Sequence, residues 1–157
     1  MKAVPQRRLK ICLAASAGGH LSQLLAVAEA WKDHEPVFVS SLEVGADKLR
    51  KMGRTYITGE CNREQPLRTL QVLWTCLRIV WTERPDVVFS TGAAPGFLTC
   101  LFGRMVGARV VWLDSIANTQ TLSMSGRMIR PFAHLILSQW PEVAARYSNV
   151  EYVGEVL

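Results

Sequence analysis

No two of the four cysteines, Cys12, Cys61, Cys76 and Cys100, stand in the C-x-x-C spacing of a zinc or redox site. Each lies in or near an apolar segment, so all four are expected to be reduced, in a reducing compartment, with neither a disulfide framework nor a metal site. An Asp-x-Asp metal motif is also missing, and no metal or cofactor is expected. Long apolar runs are missing as well. The basic start, MKAVPQRRLK, is followed only by Ile11–Ala15 before Ser16 and a glycine pair, too short for a signal peptide or a membrane span. There is no internal repeat, low-complexity tract or linker. What is there is an ordinary globular composition: 157 residues, 49% hydrophobic and 20% charged, enough for one domain with a core and too little for two. The net charge of +5 suits an anionic partner such as phosphate or a membrane surface, although solubility alone accounts for it equally well; no nucleic-acid partner is expected.

Apolar runs of strand length alternate with stretches of helical period along nearly the whole chain. Strands are expected at 9–15, 36–40, 55–58, 86–90, 109–114, 135–138 and 150–153, and helices at 20–31, 44–52, 66–82, 95–106, 124–133 and 141–147. Strands that are apolar throughout are buried on both faces, and right-handed strand-helix-strand crossovers build a parallel sheet with helices on each side. The expected fold is therefore an α/β, doubly wound parallel sheet of Rossmann-like type. Ligands of such sheets bind beyond the carboxyl ends of the strands. Four stretches lie there and are expected to face one crevice: SAGGH, STGAAPG, DSIAN and SQWPE.

In SAGGH, Gly18 and Gly19 leave the turn without side chains, with Ser16 beside them, so the first amides of the following helix can approach a phosphate or carboxylate. The spacing matches neither the G-x-G-x-x-G of dinucleotide binders nor a P-loop. His20 stands at the mouth of this turn, where a neutral imidazole can take a proton from an attacking hydroxyl; its plainer role is to pack the helix start. His34 and His134 have no such setting and are read as structural or surface residues. STGAAPG repeats the device with Thr91 and Gly92 in the turn and Pro95 at the first position of the next helix. Two helix starts converging on one elongated anion suit a diphosphate better than a single phosphate, though an ordinary strand-to-helix turn is the alternative. Asp114 is placed to orient His20, to hold a sugar hydroxyl, or merely to cap the loop after it. Beyond it, Ser123, Ser125, Gly126 and Arg127 suit turns and polar contacts, and Arg127 is either a phosphate partner or solvated helix surface.

The segment PLRTLQVLWTCLRIVWT carries Leu67, Leu70, Trp74, Leu77 and Trp81 on one side and Arg68, Gln71, Thr75, Arg78 and Thr82 on the other. Packing of the apolar side against the sheet is the commoner explanation. The tryptophans and basic residues also suit the interface of an anionic bilayer, which makes Trp74, Arg78 and Trp81 membrane-facing candidates.

Taken in order, SAGGHLSQLL, PDVVFSTGAAPG, DSIANTQTLSMSGRMIRPFAHLILSQWPE and YVGEVL resemble the acceptor-side subunit of split GT-B glycosyltransferases: the anchoring subunit of eukaryotic asparagine-linked glycosylation and its bacterial capsule and exopolysaccharide counterparts. More distantly the chain is similar to the N-terminal half of the peptidoglycan lipid II N-acetylglucosaminyltransferase. The resemblance implies one acceptor-side GT-B domain over residues 1–157, with the donor-binding domain on a separate chain. It implies a subunit of a UDP-sugar-dependent, inverting hexosyltransferase that glycosylates a polyprenyl-diphosphate-linked saccharide and is inactive alone, or a non-catalytic anchor and activator of its partner. By the same resemblance His20 is the base and Asp114 an acidic position where the family more often has Glu. Ser16, Gly18, Gly19, Thr91 and Gly92 meet the acceptor diphosphate, while Asn118, Ser123, Gly126 and Arg127 face donor and partner. Asn118 stands where many relatives have a basic residue. The spanning helix that begins eukaryotic members has no counterpart here, so the expected setting is peripheral, on the cytoplasmic face of a bacterial cell membrane.

Overall fold

A computed structural model describes residues 7–61 and 64–156. Seven strands form one parallel sheet: β1 (Lys10–Ala15), β2 (Glu35–Ser40), β3 (Arg54–Ile57), β4 (Val87–Ser90), β5 (Arg109–Leu113), β6 (Leu135–Ser138) and β7 (Val150–Tyr152). Every strand boundary lies within one residue of the expected position. The order across the sheet is β3-β2-β1-β4-β5-β6-β7. The chain therefore starts in the middle, winds outward to β3, returns to β4 beside β1, and winds outward the other way. That reversal makes a switch point between β1 and β4, which pair from Ile11 with Val87 to Ala14 with Ser90.

The central strand reads KICLAA because both its faces are covered; Ile11 to Ala15 are each at most 1% exposed. Cys12 and Ala14 point into a core with Ile79, Cys100, Trp112 and Ile129. Ile11 and Leu13 point the other way, against Leu21, Leu24, Phe38 and Leu49. The helices are α1 (Gly19–Ala26), α2 (Ala46–Met52), α3 (Pro66–Glu83), α4 (Ala93–Met105), α5 (Met124–Ile129) and α6 (Pro141–Ala144).

Three local departures from the sequence reading have physical causes. The first helix does not run through to residue 31: at Val27 it tightens into a 3₁₀ turn, Ala28–Trp31, in which Ala30 N–H bonds to Val27 O. That turn lays the Trp31 ring 5.5 Å from Phe89. The fifth helix stops at Ile129 rather than residue 133: Arg130 keeps helical angles, but Pro131 has no N–H with which to continue the hydrogen-bond ladder. Pro95 is the third residue of α4, not the first, since the helix begins at Ala93. It is tolerated there because first-turn N–H groups have no intrahelical acceptor.

The largest correction concerns α3. Its core face is Val72, Cys76, Ile79, Val80 and Glu83, whereas Leu67, Leu70, Trp74 and Trp81 are 59–77% exposed. The stripe expected to pack on the sheet thus faces outward, next to exposed Arg68 and Arg78. The buried end of α3 is fixed at the amino edge of the sheet by Glu83, whose side chain is 1% exposed. It accepts from Arg54 Nη1 at 2.7 and 2.8 Å, Tyr56 Oη at 2.5 Å and Lys10 Nζ at 3.2 Å. Burial opposes ionisation of this carboxyl, but hydrogen bonds from Tyr56, Arg54 and Lys10 outweigh it and hold its pKa below the usual range.

Candidate functional site

At the carboxyl edge of the sheet, the turns after β1 and β4 meet across the switch point. Gly18 has φ 88°, a conformation glycine adopts without strain, and it starts α1 with no side chain capping the helix. A Cβ at Gly18 or Gly19 would touch nothing within 4 Å, so the space over these amides is open. Gly92, φ 137°, starts α4 and likewise supplies no side-chain cap. Both helices therefore present unbonded first-turn amides and a positive dipole end to the same region. Ala93, φ 66°, is a non-glycine residue in the left-handed region, and strain of this kind concentrates at functional turns.

His20 and Thr91 lock the two turns together. Thr91 Oγ1 donates to His20 O at 2.6 Å, and His20 Nδ1 lies 2.8 Å from Thr91 O. A carbonyl oxygen can only accept, so Nδ1 carries the hydrogen and the neutral ring keeps its lone pair on Nε2. Gly92 makes the approach possible: a Cβ there would lie 2.5 Å from His20 Cε1 and 2.6 Å from Nδ1. The other two histidines are wired in the opposite sense. Nδ1 of His34 accepts from Leu9 N–H, and Nδ1 of His134 from Val110 N–H, so both serve as strand-end ties. Burial lowers the pKa of His134, with Arg104 and Arg109 adding to the effect, which favours its neutral, accepting form.

Asp114 does not orient His20; the Thr91 carbonyl does. The Asp114 carboxylate is 2% exposed and accepts from Trp112 Nε1 at 2.9 Å, Ser123 N at 2.7 Å and Ser123 Oγ at 2.6 Å. Ser123 in turn caps α5 by accepting from Gly126 N, and a Cβ on Gly126 would lie 2.7 Å from Asp114 Oδ1. Ser123 and Gly126, expected to face donor and partner, are thereby occupied in building this joint. Arg127 is exposed on α5, and Asn118 is half-buried in the loop that follows Asp114. The Asp114 and QWPE stretches meet each other: Gln139 Nε2 donates to Asp114 O at 3.0 Å and to Gln23 Oε1 of α1 at 2.8 Å, and Trp140 Nε1 donates to Ile116 O. Gln139 Oε1 also accepts from Val156 N, which ties the end of the described chain to the same edge.

A cavity of about 280 Å³ opens beside the His20–Thr91 lock, lined by Ser16, Ser41, Glu60, Cys61, Ala93, Ala94 and Pro95. Ser41, Glu60 and Cys61 were not singled out from the sequence. The signal was available, because they follow β2 and β3 directly and the carboxyl-end rule applies to those strands too. All four cysteines are free; three are buried as expected, and Cys61 is the half-buried exception. A larger hollow, about 380 Å³, lies among Arg8, Trp31, His34 and Met52, where neither uncapped helix start contributes.

Residues 40–156 match the family described as "Oligosaccharide biosynthesis protein Alg14 like". The chain is 22% identical to the Homo sapiens "UDP-N-acetylglucosamine transferase subunit ALG14" in an alignment covering all of this chain and 87% of that protein. It is 34% identical over 77 residues to the Schizosaccharomyces pombe "UDP-N-acetylglucosamine transferase subunit alg14", a match covering 46% of this chain and only 37% of the yeast protein. Among solved structures it is similar to Acinetobacter baumannii MurG, with TM-score 0.76, 15% identity, and coverage of 92% of this chain and 45% of that one. It is also similar to UDP-N-acetylglucosamine 2-epimerase from Rickettsia bellii, with TM-score 0.68, 11% identity, and coverage of 96% and 46%. These two likenesses show the fold, a Rossmann-like domain of the GT-B type, and the chain spans less than half of either structure. The family match runs from the end of β2 past β7 and takes in the STG turn, the Asp114 joint and QWPE: the chain belongs to the Alg14-like family of oligosaccharide biosynthesis proteins.

Proposed function

We propose that this chain is the acceptor-binding subunit of a two-chain, UDP-sugar-dependent glycosyltransferase that adds a sugar, with inversion, to a polyprenyl-diphosphate-linked saccharide. The names of its relatives support N-acetylglucosamine as the donor sugar. The observation that carries the reading is the wiring of His20. With Nδ1 donating to Thr91 O, Nε2 is the unprotonated nitrogen, positioned between two uncapped helix starts. In this mechanism Nε2 takes the proton of the acceptor hydroxyl as its oxygen attacks the anomeric carbon of the donor sugar, and UDP leaves with the bonding electron pair. The amides of α1 and α4 hold the acceptor diphosphate, and a donor-binding chain supplies the other wall of the cleft.

The exposed side of α3 supports an anchoring role. Helices α3, α4 and α5 together carry Arg68, Arg78, Arg104 and Arg127, and their one carboxylate, Glu83, is buried. Leu67, Leu70, Trp74 and Trp81 stand out from α3, with Met105 exposed on the adjacent α4 and Met124 and Met128 on α5, which packs against α4. An apolar, arginine-bearing face of this composition suits an anionic bilayer. No helix among the described residues is long and apolar enough to cross a membrane. The setting we propose is the cytoplasmic face of a bacterial membrane during capsule or exopolysaccharide assembly, as the motif resemblance suggests.

The decisive experiment is reconstitution with a donor-binding partner and assay of UDP-sugars against phytanyl-diphosphate-linked saccharides. Transfer is expected from the pair and not from the purified chain alone. Full turnover by the single chain would overturn the two-chain reading.

A further inference from the structure

We propose that the cavity between Ser16 and Glu60 holds the sugar of the lipid-linked acceptor, and that Glu60 recognises its hydroxyl groups. This rests on the acceptor-binding reading above. The carboxyl edge of the sheet has two chemically different parts. Around the start of α1 lie open amides and His20, and the Asp114 carboxylate is buried with both oxygens hydrogen-bonded. The 280 Å³ cavity is different: among the described residues Glu60 is the one charged residue lining it, it is exposed, and it has no hydrogen-bond or ion-pair partner there.

A carboxylate there repels a diphosphate, so the anion belongs to the side of the two helix starts formed by Gly18, Gly19 and Gly92, and the sugar to the side formed by Ser16 and Ala93–Pro95. The same carboxylate offers four lone-pair positions and accepts two neighbouring sugar hydroxyls at once, a bidentate contact strengthened by its charge. Ser41 adds a complementary group: its oxygen accepts from Ala17 N–H, which leaves the hydroxyl hydrogen for a ligand. The opposite wall, Ser16 and Ala93–Pro95, is formed by residues flanking the His20–Thr91 lock. A sugar in the cavity therefore lies against the same two turns that carry the proposed base. The volume falls at the lower end for small-ligand pockets, which suits one monosaccharide rather than a nucleotide.

Cys61 provides a readout that does not depend on turnover. It lines the cavity and is half-buried, whereas Cys12, Cys76 and Cys100 are 0% exposed. Burial raises the pKa of its thiol, so maleimide labelling is run at mildly alkaline pH. The full chain is labelled in the presence of phytanyl diphosphate or phytanyl diphosphate bearing glucose, galactose or N-acetylglucosamine. At least one sugar-bearing probe is expected to protect Cys61 at a concentration about tenfold below that of the bare diphosphate. Glu60→Gln is expected to remove this margin by weakening protection by the sugar-bearing probe, without weakening protection by the bare diphosphate. A margin that survives Glu60→Gln, no margin in the wild-type chain, or equal weakening toward both probes overturns the inference. Failure of the acceptor reading itself looks different: no probe protects the wild-type chain, and the inference falls with it.

Discussion

His20 owes its chemistry to a single atom of Thr91. In all three histidines the ring is oriented through Nδ1, but only in His20 is the partner a carbonyl, which leaves Nε2 as acceptor; backbone N–H groups fix the other two with the opposite tautomer. In the reconstituted pair, His20→Ala is expected to lower kcat by about 10²–10⁴-fold with complex formation unchanged, as judged by size-exclusion chromatography. Near-normal turnover would leave only the anchoring role. Gly92→Ala is a harsher change than its size suggests, because it adds a methyl against the imidazole at a φ of 137°. It is expected to cost about 1 kcal/mol or more in urea unfolding and to abolish transfer. The glycine pair before His20 was visible in the sequence and marked the turn. For Asp114, capping the following loop was only one of three legible roles, because a carboxylate at a strand tip reads the same whether it faces solvent or accepts from Trp112 and Ser123.

At the scale of the element, α3 shows how periodicity is legible while direction is not. Around its axis run two apolar bands, one of Leu67, Leu70, Trp74 and Trp81 and one of Val72, Cys76, Ile79 and Val80. Either satisfies a helical pattern, and hydrophobicity alone favours the bulkier. The smaller side chains allow α3 to approach the sheet and α4, and Glu83 fixes the rotation by drawing Arg54, Tyr56 and Lys10 to the inner side. Replacing both Trp74 and Trp81 by serine is expected to leave stability within about 0.5 kcal/mol per site, since both rings are exposed. The same change is expected to reduce flotation with anionic vesicles at least several-fold. Unchanged flotation would remove the bilayer from the proposal. A loss of flotation accompanied by a large drop in melting temperature would instead show that the tryptophans support the fold.

Across the whole molecule, the amino edge of the sheet carries the Glu83 cluster and the carboxyl edge the candidate site. Because hydrogen bonds hold the Glu83 pKa below its unfolded value, its contribution is fully present above the ordinary carboxyl pKa and is lost as pH falls through the lower, folded value. Glu83→Gln is therefore expected to cost about 2 kcal/mol at pH 7 and progressively less below about pH 4, measured by urea unfolding across pH. A gap that stays constant with pH would show that the pairing does not depend on ionisation. The architecture itself was readable because buried parallel strands leave continuous apolar runs, and KICLAA needs no partner residue to be recognised. The cavity was less readable, because Glu60 and Ser41 join Ser16 only when separate loops converge. The strand order has a further effect during synthesis. Of the described strands KICLAA leaves the ribosome first, and β2 soon pairs with one of its edges, but Ile11 to Ala14 must wait for Val87 to Ser90 to cover the other. A nascent chain shorter than that carries an open, fully apolar strand edge, so truncated products ending before Ser90 are the forms that aggregate or engage chaperones.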